Sequence, residues 1–231
     1  RTLSLCDNVN LKKSAGIESS RPLLHWQEIV IIIDEILHIF NTNGLGVKKH
    51  KHKTYVFNGM LWKQVEEERL IKFVGEMAAK MGVNTLQSKH FEYRNKLFSQ
   101  LMAVMPHTSF TNKDYTLINL ANGTLEIDEE NIRLRPFKKE DFLTYKLSFI
   151  YDPLATAPKF MRYLNRVLPQ QELQDILSEY LGYLFIPTSK LKLEKSILLY
   201  GSGANGKSVF FDLINALLGR ENVSNFSLGK L

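Results

Sequence analysis

The sequence has little of what disulfide-stabilised or membrane proteins need. Cys6 is the single cysteine among 231 residues, so no disulfide can form within the chain. A chain without disulfides is typical of a reducing compartment, and we expect a cytoplasmic protein. The longest uninterrupted apolar run, residues 29–33, is far too short to cross a bilayer, and no secretory leader is visible. We therefore expect no membrane partner.

Internal repeats and tracts of biased composition are also missing. The content of 44% hydrophobic and 11% aromatic residues excludes an intrinsically disordered chain. The 30 lysines and arginines exceed the 24 acidic residues, which gives a net charge of +6. A basic chain favours anionic partners such as nucleic acid, but many basic proteins only carry a solvated basic face. The charge alone leaves both interpretations open.

The most informative stretch lies near the end of the chain. A short apolar run at residues 196–200 leads into GSGANGKS at 201–208, which fits the pattern G-x-x-x-x-G-K-[ST]. Apolar residues then recur at helical spacing. This order predicts a strand, a phosphate-binding loop and a helix, although a glycine-rich turn between a strand and a helix would share the pattern.

The residue types in this loop suit a triphosphate. Glycines allow backbone N–H groups to approach phosphate oxygens, and the N-terminus of the following helix adds unpaired N–H groups. Lys207 is expected to reach the β and γ phosphates as the catalytic residue, and Ser208 to bind Mg²⁺. The sequence thus predicts ATP and Mg²⁺ as cofactors. The predicted binding residues are Gly201, Ser202, Gly203, Ala204, Asn205, Gly206, Lys207 and Ser208.

Complete hydrolysis needs more than this loop. A P-loop ATPase also uses an acidic residue on a later strand to hold Mg²⁺ and position water. The sequence after Ser208 is too short to supply such a strand, and the chain begins with Arg1 instead of methionine. We therefore expect a fragment of a longer protein that has little ATPase activity by itself.

A basic run occurs at residues 48–53, which read KKHKHK. It precedes two alternating stretches joined by Asn58-Gly59, which predicts a β-hairpin. The run has a functional interpretation, contact with a DNA backbone, and a structural one, a solvated loop at a charged strand edge. A metal site at His50 and His52 is not expected, because no third ligand lies at suitable spacing. The candidate DNA contacts are Lys48, Lys49, Lys51 and Lys53.

Periodicity defines the remaining elements. Helical spacing predicts helices at about 26–40, 66–81, 86–105, 158–168 and 170–185, and alternation predicts strands at 116–120, 125–127, 132–137 and 147–151. The fold class is therefore α+β, with helices and a small, mostly antiparallel sheet, followed by the truncated start of an α/β P-loop ATPase domain. The predicted domains are a linker or tail at 1–24, an α+β domain at 25–190 and the ATPase start at 191–231.

Several stretches, in order, resemble the superfamily 3 helicase region of phage and plasmid primase–helicase proteins, which are related in plan to the poxvirus primase–helicase. The similarity spans roughly residues 54–231. It rests on NLANGTL at 119–125, YDP at 151–153, PKF at 158–160, EYLGY at 179–183, GSGANGKS at 201–208, and the stretches 218–219 and 222–228.

The resemblance implies a ring-shaped, usually hexameric ATPase that translocates on single-stranded DNA in a bacterial or host-cell cytoplasm. Residues 25–190 would be the pre-helicase domain, with a primase domain or another replication protein as a further partner. Lys207 and Ser208 would contact ATP and Mg²⁺. The acidic Mg²⁺ motif, sensor asparagine, arginine finger and pore hairpin of that family have no counterpart here. The full-length protein would thus be an ATP-dependent DNA helicase, and the fragment would be inactive alone.

Two other interpretations remain open. The chain could be a non-enzymatic docking or oligomerisation module of a replication protein with an incomplete phosphate loop. It could also be a small-molecule kinase, but that interpretation explains only the last part of the chain.

Overall fold

The computed structural model describes residues 9–14, 16–17, 22–106, 114–188, 190–203 and 205–226. Cys6, most of the predicted tail, Ala204 and residues 227–228 lie outside this part of the chain. The chain divides into two units, of which the first comprises Arg1–Thr111 with Lys138–Thr144 and the second Asn112–Phe137 with Tyr145–Leu231. Each unit contains helices and one small antiparallel sheet, which confirms the α+β class. The domain boundaries expected from the sequence stay a prediction.

Helices form the core of the first unit. The core lies among α2, α3 and α5, where apolar side chains at helical spacing, such as Ile32, Val74 and Leu97, are fully buried. No helix of the described chain is both long and apolar enough to span a bilayer. The helices of this unit are α1 (Leu11–Ser14), α2 (His25–Thr42), α3 (Glu67–Lys80), α4 (Thr85–Lys89) and α5 (Phe91–Val104).

The prediction of a single helix at 86–105 is wrong, because the structure has two helices, α4 and α5, which are joined at His90. His90 has extended backbone (φ −66°, ψ 131°), which ends one helix and starts the next. The break leaves the Ser88 carbonyl free of helical bonding, and the Arg94 Nε donates to it at 2.8 Å. A Cβ at Gly75 of α3 would lie 2.8 Å from that carbonyl, so the break occurs where α3 passes very closely.

The sheet of the first unit has three antiparallel strands, β1 (Gly46–His50), β2 (Lys53–Phe57) and β3 (Trp62–Val65), in the order β1-β2-β3. The predicted hairpin is confirmed, with Asn58 Oδ1 accepting from the amides of Met60 and Leu61 at 3.0 Å. Strand β1 was not predicted, because its lysines gave no apolar alternation. The first half of the basic run is thus a strand and not a loop.

The second unit has a sheet of β4 (Thr116–Leu120), β5 (Gly123–Ile127) and β6 (Ile132–Arg135), antiparallel in that order. The fourth expected strand, at 147–151, is not regular. Two hydrogen bonds tie it to β4, from the Leu147 amide to the Asn119 carbonyl (2.8 Å) and from the Ala121 amide to the Phe149 carbonyl (2.9 Å). The helices of this unit are α6 (Pro158–Val167), α7 (Gln171–Tyr183) and α8 (Lys207–Leu218).

The strand expected before the phosphate loop is not formed. Residues 190–200 have no regular secondary structure, and Leu198 and Tyr200 are 84% and 94% exposed. A strand needs neighbours that pair with its N–H and C=O groups, and the described residues place none beside this segment. The helix after the loop is present, because α8 begins at Lys207 as expected. The described residues thus contain the expected helix without the expected strand, and the ATPase start itself stays a prediction.

A buried carboxylate joins two strands of the second sheet. Glu126 on β5 is 4% exposed and pairs with Arg133 and Arg135 of β6. Both arginines hold the pKa of Glu126 below its ordinary value of 4.5. The Arg135 side chain is 13% exposed and that of Arg133 is 65% exposed, so solvent screens the pair with Arg133 more strongly.

Glu126→Gln should lower the free energy of unfolding by about 1–3 kcal/mol at pH 7, since two arginines lose a charged acceptor. A carboxyl group with a depressed folded-state pKa stabilises fully above its unfolded pKa, and that contribution disappears as pH falls through the folded pKa. The difference between wild type and variant should therefore shrink below pH 4.5. Urea unfolding followed by circular dichroism at several pH values measures this difference in the free energy of unfolding. Glu129→Gln, at an exposed position, is the control. A difference independent of pH would contradict this assignment.

Candidate functional site

The phosphate loop takes backbone conformations that glycine favours. Gly203 and Gly206 have φ angles of +108° and +86°, in the left-handed region that other residues rarely adopt. Gly206 is also the N-cap of α8. A Cβ at Gly201 would overlap the Asn205 amide. The conformation of this loop therefore favours glycine at all three positions.

The Lys207 ammonium lies across the loop. Its Nζ donates to the Gly201 carbonyl at 3.0 Å and to Asn205 Oδ1 at 2.6 Å. Lys207 is also the first residue of α8, a helix of 12 residues whose first N–H groups have no partner within the helix. A cation and a helix N-terminus at one point attract an anion, and phosphate oxygens could replace the two loop oxygens as acceptors for Lys207.

The other predicted binding residues lie in the loop and in the first turn of α8. Ser202 and Gly203 are exposed in the loop, and Ser208 is exposed in the first turn of α8. Ser208 is therefore accessible to a hydrated cation. Ala204 lies outside the described residues. The part of the chain that the structure describes contains no cluster of three histidine, cysteine, aspartate or glutamate side chains that could hold a metal ion by itself.

A tyrosine on α6 anchors the loop to the body of the second unit. The Tyr163 hydroxyl donates to the Gly206 carbonyl at 2.7 Å, and the Phe210 amide donates to the same carbonyl at 3.0 Å as part of α8. Partial burial raises the pKa of the Tyr163 hydroxyl from its ordinary value. A Cβ on Gly206 would lie 2.8 Å from Val167 Cγ1, also on α6. Helix α6 therefore supports the point where loop becomes helix.

An open groove of about 480 Å³ extends from this junction. Its walls are mostly apolar and come from α6, α7, residues 197–200 and Phe210, and Asn205, Gly206 and Lys207 also line it. Sequence reasoning found the loop but not Tyr163 or the groove. No spacing rule connects a tyrosine to a loop 43 residues further along the chain.

The four candidate lysines do not form one patch. Lys48 and Lys49 are neighbours on β1 and so point to opposite faces of the sheet, while Lys53 starts β2. Lys51 lies in the tight turn between these strands, with φ of +52°. The ring of His50 lies 5.4 Å from that of Phe142, which accounts for this histidine by packing.

Tyr163→Phe should loosen the start of α8, because it removes one hydrogen bond and keeps the ring. A hydrogen bond worth about 1 kcal/mol corresponds to roughly fivefold faster exchange of the Phe210 amide, which donates to the same Gly206 carbonyl. Hydrogen exchange followed by mass spectrometry measures this. Tyr180→Phe is the matched control, since its hydroxyl donates to the Lys195 carbonyl at 3.3 Å instead. Equal exchange in wild type and Tyr163→Phe would mean that the bond does not hold the loop.

The sequence was compared with models of known protein families. A family model described as "D5 N terminal like" matches residues 35–169, more than half of the chain. The matched region ends just after α6, so it contains Tyr163 but not the phosphate loop. No curated protein matches the sequence.

Proposed function

The chain belongs to the D5 N terminal like family, and from that membership we propose that it is part of a primase–helicase-type replication protein whose residues 201–208 bind ATP with Mg²⁺. The observation that carries the nucleotide site is the position of Lys207. Its ammonium lies at the N-terminus of α8 and is held by the Gly201 carbonyl and the Asn205 amide oxygen. This is the arrangement that an incoming chain of phosphates needs.

Each residue of the loop has a role in this proposal. Backbone N–H groups of Ser202, Gly203, Asn205 and Gly206 would bind phosphate oxygens, and Lys207 would exchange its two loop acceptors for phosphate oxygens. Ser208 supplies its hydroxyl to Mg²⁺. The groove beside the loop gives the rest of the nucleotide room to lie against α6 and α7. The bound Mg²⁺ would supply charge neutralisation between the phosphates.

In this proposal, ATP hydrolysis and translocation on DNA need a larger assembly. The acidic residue that holds Mg²⁺ and orients water would come from a further strand, which would also pair with the exposed segment at 190–200. Full-length chains would form a ring, a hexamer by the resemblance, that uses ATP to translocate on single-stranded DNA in a bacterial or host-cell cytoplasm. A primase domain or another replication protein would be a further partner.

Lys207→Ala should weaken Mg–ATP binding by the 231-residue chain about 10- to 100-fold, because charge-assisted hydrogen bonds to phosphate contribute about 1.5–3 kcal/mol. Isothermal titration with a non-hydrolysable ATP analogue measures the affinity. Lys195→Ala is the control, since Lys195 is an exposed lysine of the same unit outside the loop. Equal affinity of wild type and Lys207→Ala, or no binding by wild type, would reject the nucleotide site and favour a docking module.

A further inference from the structure

The first sheet carries an unusual concentration of positive charge. Residues 44–65 contain five lysines and no aspartate or glutamate. Most proteins intersperse charges of both signs, and a one-sign segment with an ordered structure attracts a polyanion. Whether these lysines can act together depends on which of them lie on the same face of the sheet.

Strand alternation separates the lysines into two groups. Val47 and Thr54 are buried and face the helical core, so Lys49, which pairs with Thr54, shares their face. Lys48 pairs with Tyr55 and His50 with Lys53, and these four residues lie on the opposite, outer face of the sheet. The outer face therefore places these two lysines beside two half-buried rings, next to the buried rings of Phe57 and Trp62.

A segment from later in the chain adds a third ring. Residues 138–144 cross the outer face, where the Trp62 amide donates to the Leu143 carbonyl at 2.8 Å and the Trp62 indole N–H donates to the Lys139 carbonyl at 2.9 Å. These bonds hold Phe142 in the left-handed region (φ +51°), a conformation disfavoured for a phenylalanine. This segment carries two lysines and two acids, so it leaves the excess charge of the sheet unchanged.

The result is a cluster of half-buried rings beside lysines. The Phe142 ring centroid lies 5.4 Å from His50, 5.3 Å from Tyr55 and 5.3 Å from the buried Trp62. The Lys48 ammonium is 5.6 Å from the Trp62 ring centroid, and Lys53 is exposed. Non-specific binders of single strands use this combination, in which bases stack on aromatic rings and lysines contact the backbone.

We propose that the outer face of the first sheet binds single-stranded DNA, with Lys48 and Lys53 contacting phosphates and bases stacking on His50, Tyr55 and Phe142. A single strand fits better than a duplex because only unpaired bases can present their faces to these rings. Lys49 lies on the other face and does not take part. The choice of DNA as the polyanion rests on the proposed function.

The first experiment compares two double variants of the 231-residue chain. Fluorescence anisotropy with a labelled oligonucleotide of twenty thymidines gives the affinity as a function of salt. The plot of log affinity against log salt has a negative slope, to which each phosphate contact on a single strand contributes about −0.7. Lys48→Gln with Lys53→Gln should therefore make this slope less steep by about 1.4. Lys49→Gln with Lys63→Gln removes the same charge from the opposite face, to which Lys63 belongs by its pairing with Val56. This control should keep the wild-type slope.

A second variant separates stacking from charge. Tyr55→Leu should weaken binding about tenfold with an unchanged salt slope, and Tyr55→Phe should restore it, because the ring is retained. Circular dichroism should show the same fold in every variant. Equal losses in the two lysine pairs, full affinity in Tyr55→Leu, or equally tight binding of duplex DNA would overturn the proposal.

The same preparations distinguish this inference from the nucleotide proposal. Lys195→Ala should bind the oligonucleotide as wild type does, since Lys195 is an exposed lysine of the other unit. Loss of oligonucleotide binding in Lys48→Gln with Lys53→Gln, while Mg–ATP still binds, supports the proposed face. Full oligonucleotide binding in that variant, while Mg–ATP still binds, overturns this inference alone.

Discussion

Pairing of backbone N–H and C=O groups between neighbouring strands is the constraint on which both units depend. Each sheet has three strands, and in each a later segment bonds to an edge strand: the Leu143 carbonyl accepts from Trp62 of β3, and the Leu147 amide donates to Asn119 of β4. The segment at 190–200 has no such neighbour among the described residues and forms no strand. The same requirement thus explains the strands that form and the absence of a strand at 190–200.

The loop and α6 connect the family region with the candidate site. The Gly206 carbonyl accepts from the Tyr163 hydroxyl and from the Phe210 amide, so one oxygen joins α6, the loop and α8. The loop also follows α6 closely enough that a Cβ on Gly206 would strike Val167. A shift of the loop would therefore change the contacts of Gly206 with Tyr163 and Val167 of α6. This helix lies within the residues that match the D5 N terminal like family.

Local patterns predicted the helices well and long-range contacts poorly. Helices α2, α3, α6, α7 and α8 follow apolar periodicity, and the glycines with Lys207 located the loop-to-helix junction correctly. Strand β1 was missed because Lys48, Lys49 and His50 gave no apolar alternation, and only pairing with β2 makes it a strand. The break at His90 lies beside the close approach of Gly75 to the Ser88 carbonyl, and the role of Tyr163 rests on a contact across 43 positions of sequence. Such contacts leave no periodic signal in the sequence.

The central claim is that phosphates bind where the loop meets α8. The most direct test is a ¹H–¹⁵N correlation spectrum of the wild-type chain, assigned for residues 201–210 and recorded with and without Mg–ATP. The account predicts large, saturable shifts of the Gly203, Gly206, Lys207 and Ser208 amides, and small shifts in the first unit. A spectrum unchanged at these amides with excess Mg–ATP, or shifts confined to other residues, would contradict it.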